Sequence, residues 1–296
     1  MKYAFMQTHE SEFSVERMSW VLEVSRSGYY QFIQSKLSCR KQENERLLIK
    51  IKTIYAASRF TYGSPRIHAE LQEDGETCSR KRVSKIMKKA GIEAKMKKRF
   101  KVTTKANPMA IPAPNLLQQD FTTEKPNHRW VADFTYIATQ EGWLYVATVL
   151  DLFSRRIVGL AMSDRMTADL VVQALQQALI HRKPPADLIH HSDRGSQYTS
   201  SAFRNLLKKH AITASMSGTG NCYDNATQES FYHTLKTEHV YFECYKTREE
   251  AKQSIFEYVE VFYNRKRRHS TLGYVSPMIF EKRWQQQSEI SLSSVH

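Results

Sequence analysis

Asp133, Asp193 and Glu229 are the residues of this chain whose type and spacing point most directly to chemistry. The first two lie in strand-like segments, Trp130-Val-Ala-Asp-Phe-Thr-Tyr-Ile137 and Leu188-Ile-His-His-Ser-Asp-Arg-Gly195. The third lies in a helical segment, Tyr223-Asp-Asn-Ala-Thr-Gln-Glu-Ser-Phe231. Three carboxylates in that order, sixty and then thirty-six positions apart, are what a two-metal phosphoryl-transfer site needs. Two divalent cations ~4 Å apart repel each other, and clustered anionic oxygens must hold them. A lone Asp in a strand is usually a surface or turn residue, and Asp151, Asp164, Asp224 and Glu238 could enter rival sets. The joint match of order, spacing and element type singles out Asp133, Asp193 and Glu229.

The elements around these acids are legible from periodicity. Trp130–Ile137, Trp143–Leu150 and Arg156–Ala161 read as three strands joined by short turns, an antiparallel meander. Met166–Ile180 is expected to be a helix with Leu170, Val171, Ala174, Leu175 and Ala178 inward. Leu188–His191 reads as a strand, Ser200–His210 as a helix and Ile212–Met216 as a strand, with helices following at Asn225–Glu238 and Arg248–Tyr263. Three antiparallel strands followed by αβαβα is the element order of a ribonuclease-H-like α/β (α+β) fold with a mixed five-stranded sheet. In such a fold Asp133 lies on the first, central strand, Asp193 ends the fourth and Glu229 projects from a helix crossing that edge. Lys236, seven residues after Glu229, and His233 share its helix face. A cation at Lys236 could hold a DNA phosphate beside the metals.

Thr135, Tyr136, Gln197 and Asn225 flank the acids and either position them, contact DNA or satisfy backbone groups in turns. Trp130 and Trp143 are expected in the core.

The N-terminal part reads as helical. Phe13–Leu22 and Gly28–Phe32 suggest a short helix-turn-helix, and Glu43–Ala57 an amphipathic helix with Leu47, Leu48, Ile51 and Ile54 on one side. A second helix-turn-helix follows. Ser64 is expected to cap a helix with Pro65 at its first position, Asp74-Gly75 marks a turn, and Ser79 caps Arg80–Ala90, which stops at Gly91. Val83, Ile86 and Met87 face inward, leaving Arg80, Lys81, Arg82, Lys85, Lys88 and Lys89 outside, where such a helix could lie in a major groove. The expected organisation is an N-terminal helical segment (1–60), an all-α helix-turn-helix region (61–105), a proline-rich linker (106–126), the catalytic core (127–285) and a frayed polar tail (286–296).

Charge agrees with a polyanion partner. The chain of 296 residues carries a formal net charge of +14. Residues 1–128 hold 24 Lys/Arg against 13 Asp/Glu, and Lys81–Lys105 alone hold eleven bases and one acid. A run so one-signed favours nucleic acid over a merely solvated face. Arg265-Lys-Arg-Arg-His269 could form a second strip on DNA, led by Arg265 and Arg268, or a solvated helix end. No stretch approaches the roughly twenty apolar residues of a membrane span. Cys39, Cys78, Cys222 and Cys244 show no CxxC pair, so neither a disulfide framework nor a zinc ribbon is indicated, and a cytoplasmic setting is expected.

The segments Trp130–Ile137, His191-Ser-Asp-Arg-Gly-Ser-Gln-Tyr198, Asn221-Cys-Tyr-Asp-Asn-Ala226 leading to Glu229, and Tyr263-Asn-Arg-Lys-Arg-Arg-His269 leading to Gly273 and Pro277 are long and jointly specific. With Tyr62-Gly-Ser-Pro-Arg66 and Ser25-Arg-Ser-Gly-Tyr-Tyr30, they resemble the OrfB transposase of the IS-three insertion-sequence family over nearly the whole chain. That family's core is similar to retroviral integrase. The resemblance implies a DDE triad of Asp133, Asp193 and Glu229 with Lys236 beside it, and Mg²⁺ as cofactor, Mn²⁺ substituting. It also implies cleavage at terminal inverted repeats and joining to target DNA by a homo-oligomer at the bacterial nucleoid. Residues 1–60 show no sustained heptads, so an OrfA partner is implied as well. The alternatives are a DNA-binding regulator whose core is silent without OrfA, and a structure-selective nuclease.

Overall fold

The computed structural model describes residues 1–34, 39–96, 113–117, 120–218 and 225–293. Helices come first: α1 (Lys2–Thr8), α2 (Val15–Val21), α3 (Arg26–Gln34), α4 (Cys39–Ala57), α5 (Ser64–Glu73) and α6 (Arg80–Lys89). Met6, Met18 and Tyr29 give α1–α3 a small core of their own. Leu47 and Ile51 of α4, Ile67 and Leu71 of α5, and Val83, Ile86 and Met87 of α6 instead join the main core. Ser79 caps α6 by accepting from the Arg82 amide, while α5 is capped by Gly63 rather than Ser64, without a side-chain bond. Ser64 is already helical, so its hydroxyl is one position too late to accept the orphan amide.

The sheet is built from β1 (Arg129–Thr139), β2 (Gly142–Asp151), β3 (Ile157–Ser163), β4 (Ile189–Ser192) and β5 (Thr213–Met216). Its order is β3-β2-β1-β4-β5, antiparallel within the meander and parallel where β4 joins β1 and β5. The crossovers are α7 (Ala168–Arg182) and α8 (Ser201–Lys209), and α9 (Ala226–Glu238), α10 (Arg248–Glu257) and α11 (Pro277–Ser293) follow.

Strand alternation divides the core into two layers. Trp130 and Ala132 of β1 pack with α7 and α8. Val131 and Ile137 face the opposite side, with α9, α10 and α4–α6. The α7 layer sits close on β3: a Cβ at Gly159 would stand 2.2 Å from the Ala174 carbonyl oxygen.

Four further expectations change. The long helix expected over 248–263 is α10 followed by a π-helical turn, Tyr258–Tyr263. The polar C-terminus is not frayed from residue 286, because α11 runs to Ser293. Phe280 and Trp284 of that helix pack on Phe153, and Glu281 binds Ser154, Arg156 and Arg182. Part of the proline-rich stretch is packed rather than free: Leu117 is buried, the Leu116 amide donates to Ser215 Oγ, and Pro114 O accepts from Met216. Trp130 is buried as expected, but Trp143 is 50% exposed and meets Tyr136 edge-on at 4.9 Å. It shares its side-chain parity with the buried Ala147 and Val149 of the α7 face, and its exposure comes from its place at the start of β2.

Candidate active site

The register of the parallel β1–β4 pair brings the two aspartates together. Arg129, Trp130 and Val131 pair with Ile189, His190 and His191. The pairing ends there, two residues short of each aspartate, and Asp193 lies just past the end of β4, near enough for its charge to act on the Asp133 carboxyl. Asp133 shares the side-chain parity of Val131 and so lies on the face that α9 covers. Beneath them, His191 fixes the end of β4: Nδ1 meets Ser215 Oγ at 2.8 Å and Nε2 meets Ser217 Oγ at 3.1 Å.

Asp133 is held from both sides of its peptide. Its Oδ1 accepts from the Phe134 amide at 2.8 Å, and its carbonyl oxygen accepts from Tyr232 of α9 at 2.6 Å. Tyr232 also meets Thr148 Oγ1 at 2.8 Å, and Gln228 donates to the same hydroxyl. Tyr232 was not singled out in the sequence. Its signal is available, since it falls three residues after Glu229, on the buried stripe of α9. Asn225, at the N-cap of α9, donates to the Ala132 carbonyl at 3.4 Å. Asp193 Oδ1 accepts from the Gly195 amide at 2.9 Å, and a Cβ at Gly195 would crowd that oxygen at 3.0 Å. Glu229 is exposed in the first turn of α9, where the helix dipole favours a carboxylate.

The acids are electrostatically uncompensated. Burial, then the charge of Asp193 and more weakly that of Glu229, push the Asp133 carboxyl up to about 8. Burial also raises Asp193 and Glu229. Lys236 opposes the rise at Asp133, and burial lowers its own ammonium. Its Nζ lies 5.3 Å from the centre of the Tyr136 ring. Among the described residues no group of three or more His, Cys, Asp or Glu side chains is arranged to hold a metal ion. The donor set nevertheless suits divalent cations: hard oxygen ligands whose mutual repulsion a cation would relieve. Asn225 Oδ1 is a further buried oxygen with no partner among the described residues.

The rival acids are occupied elsewhere. Asp151 is fully buried and accepts from the Asn127 and Phe153 amides and from Arg182. Glu238 takes two bonds from Arg267, at 2.6 and 2.7 Å, and one from Tyr258. Asp164 is exposed beyond β3, and Asp224 lies outside the described residues. Of the flanking residues, Thr135 and Gln197 are buried and Gln197 donates to the Met166 carbonyl.

The basic residues divide unevenly. Arg80, Lys81, Lys85, Lys88 and Lys89 are exposed on α6. Arg82 is not free, because it donates to Asn44 Oδ1 and Glu43 Oε2, both at 2.8 Å, tying α6 to α4. Arg265 and Lys266 are exposed, whereas Arg267 and Arg268 are buried. The expected DNA-contacting role of Arg268 is therefore overturned: its guanidinium is spent on Glu70, Glu73 and the Tyr274 carbonyl.

A mixed five-stranded sheet of this order flanked by helices is the architecture of integrase-type catalytic cores. The Integrase core domain family matches residues 123–222 and again 229–284, and the HTH-like domain family matches residues 42–100. A Shigella sonnei protein, "Insertion element IS600 uncharacterized 31 kDa protein", is 47% identical over 269 residues, covering 91% of this chain and 99% of its own. The Escherichia coli (strain K12) "Transposase InsF for insertion sequence IS3A" is 42% identical over 286 residues, 96% of this chain and 99% of its own. The solved simian T-cell lymphotropic virus intasome in complex with PP2A regulatory subunit B56 gamma is 14% identical with a TM-score of 0.47, covering 78% of this chain and 74% of that one. The chain belongs to the IS3 family of insertion-sequence transposases. No helix among the described residues is long and apolar enough to cross a membrane.

Proposed function

We propose that this transposase cuts DNA at the ends of its insertion element and joins them to new DNA by in-line phosphoryl transfer at Asp133, Asp193 and Glu229. What supports the reading is the pairing of β1 with β4, which brings Asp133 and Asp193, just past the end of β4, within reach of each other's charge, beside Tyr232 and Lys236 of α9. The three carboxylates would hold Mg²⁺, with Mn²⁺ able to substitute. When bound, the metal supplies a Lewis acid that eases deprotonation of the attacking water or 3′-hydroxyl and offsets charge on the leaving oxygen.

The chain's own residues do the positioning. Tyr232 and the Phe134 amide fix the Asp133 peptide and carboxylate, and the Gly195 amide orients Asp193. Lys236, on the same α9 flank as Glu229, holds the phosphate next to the scissile bond. Water and a 3′-hydroxyl attack the same phosphorus geometry, so one site serves both nicking and joining. The exposed cations of α6 (Arg80, Lys81, Lys85, Lys88 and Lys89) grip the duplex at the terminal inverted repeats, with Arg265 as a further phosphate contact. Two ends must be held at once, so the working form on DNA is a homo-oligomer, assisted by an OrfA partner, at the nucleoid in the bacterial cytoplasm.

The test is a purified-protein assay with Mg²⁺ and labelled element ends, with and without OrfA. Nicked and joined products are expected from the wild type, and loss of both from Asp193→Asn with the fold retained. Joining by Asp193→Asn at the wild-type rate would reject the site, and binding without cleavage under every condition would favour a regulator.

A further inference from the structure

On the flank of α9 away from Glu229 and Lys236, Thr227, Ser230 and Thr234 recur at helical spacing and line a cavity of about 340 Å³. Three arginines from distant parts of the chain meet there: Arg66 of α5, Arg155 of the β2–β3 turn and Arg267 beyond the π-helical turn. No carboxylate is among the lining residues. Glu238 takes Arg267 at 2.6 Å and reaches Arg66 at 3.4 Å, while the charge of Asp151 acts on Arg155 from a distance, itself bound by Arg182. Arg155 is left over. Its guanidinium meets Thr227 Oγ1 at 2.9 Å and forms no ion pair with a described residue.

The backbone delivers Arg155 to this place at a cost. Its φ is +61°, in the left-handed region that non-glycine residues rarely adopt, and its amide is tied to the Asp151 carbonyl at 2.8 Å. A half-buried guanidinium is poorly hydrated, and burial lowers the pKa of both Arg155 and Arg66. Excess positive charge under a rim of exposed hydroxyls, Ser230, Ser270 and Thr271, is the donor set of an oxyanion site.

We propose that this cavity binds a phosphodiester group of the DNA backbone, with Arg155 as its principal donor and the Thr227 and Ser230 hydroxyls beside it. The inference rests on the DNA-joining function proposed above and adds a second contact to it. A strand engaged here and at the acidic site would hold α9 from both flanks and so keep Glu229 in place.

The experiment measures full-length protein binding a labelled element-end duplex by fluorescence anisotropy, with Ca²⁺ in place of Mg²⁺ to suppress cleavage, across a salt series. Arg155→Gln is expected to weaken binding about 10-fold and to make the slope of log K against log salt shallower by about 1, the loss of one phosphate contact. Ser230→Glu, at an exposed rim position that tolerates the change, is expected to weaken binding at least as much by repelling the phosphate. Wild-type affinity and slope in a folded Ser230→Glu protein overturn the inference, whatever the fate of the Arg155 variant. If the wild type nicks and joins DNA while both variants bind as it does, the cavity assignment alone fails. A wild type that does not bind the duplex either alone or with OrfA added sinks the DNA-joining reading and this inference with it.

Discussion

Arg268 places two guanidinium N–H groups on the carboxylate of Glu70, at 2.6 and 2.8 Å, across 198 positions of sequence. The contact joins the end of the π-helical turn to α5. Tyr62 reinforces it: its hydroxyl accepts from the Arg268 amide at 2.7 Å and donates to the Lys266 carbonyl at 3.1 Å. The helical region is thereby fastened to the catalytic core by ion pairs and hydrogen bonds in addition to apolar packing. One basic run serves two ends, with Arg265 and Lys266 in solvent and Arg267 and Arg268 inside.

The two inner arginines are expected to differ in what they contribute. Arg267 and Glu238 are each less than a tenth exposed, so Arg267→Met leaves a buried carboxylate short of its partner and should cost about 3–5 kcal/mol. The acceptors of Arg268 are 30% and 49% exposed, and water can replace the lost donor there. Arg268→Met should therefore cost only about 1–2 kcal/mol. Urea denaturation of the two variants measures the difference, and equal costs would contradict it.

Asp133 makes the metal-free protein sensitive to pH. With its carboxyl pushed up to about 8, the folded protein keeps a proton that the unfolded chain has already lost above its ordinary carboxylate pKa. The folded state binds more protons from roughly pH 4 to 8, so stability falls as pH rises through that window. Asp151, pushed up to about 6, acts the same way over the lower part of the range. The melting temperature in EDTA is expected to drop from about pH 5 to about pH 8, with a flatter slope in Asp133→Asn. Cation and proton compete for one carboxylate, so Mg²⁺ should stabilise the protein more at pH 8 than at pH 6. Stabilisation by Mg²⁺ that is independent of pH would count against Asp133 as a ligand.

Lys236 lowers the Asp133 pKa by its charge. Lys236→Ala is expected to slow end joining by about 10- to 100-fold, through a lost phosphate contact. Removing the cation also lets the Asp133 pKa climb, so the acid limb of the pH–rate profile should move to higher pH. A rate loss with an unmoved acid limb would indicate that Lys236 acts on DNA alone.

The two tryptophans of the meander give a direct stability contrast. Trp130 is fully buried, and its truncation to Ala should cost about 3–5 kcal/mol. Trp143 is 50% exposed with Tyr136 as its ring partner, so Trp143→Ala should cost about 0.5–1.5 kcal/mol. Thermal denaturation separates the two outcomes.

By itself the sequence determined what depends on neighbours along the chain. Strand alternation, helical stripes, the Ser79 cap and the order βββαβαβα follow from side-chain periodicity and local hydrogen bonding, which act over a few residues. The placing of Asp133 on a central strand and Asp193 at a strand end followed from that order. Tertiary structure decided what depends on partners far away. Arg267 and Arg268 look like Arg265 in the sequence, and Trp143 looks like Trp130, because charge and hydrophobicity do not say what a side chain will meet. Order and spacing set Asp151 and Glu238 aside, but only the fold shows what they do instead, held by Arg182 and Arg267, 31 and 29 positions away. Glu281 and Ser154, 127 apart, hold down a C-terminal helix that runs on into residues whose polar composition, from 286, reads as a tail. The parallel pairing of β1 with β4, which brings the Asp193 end of β4 towards Asp133, is likewise a long-range choice.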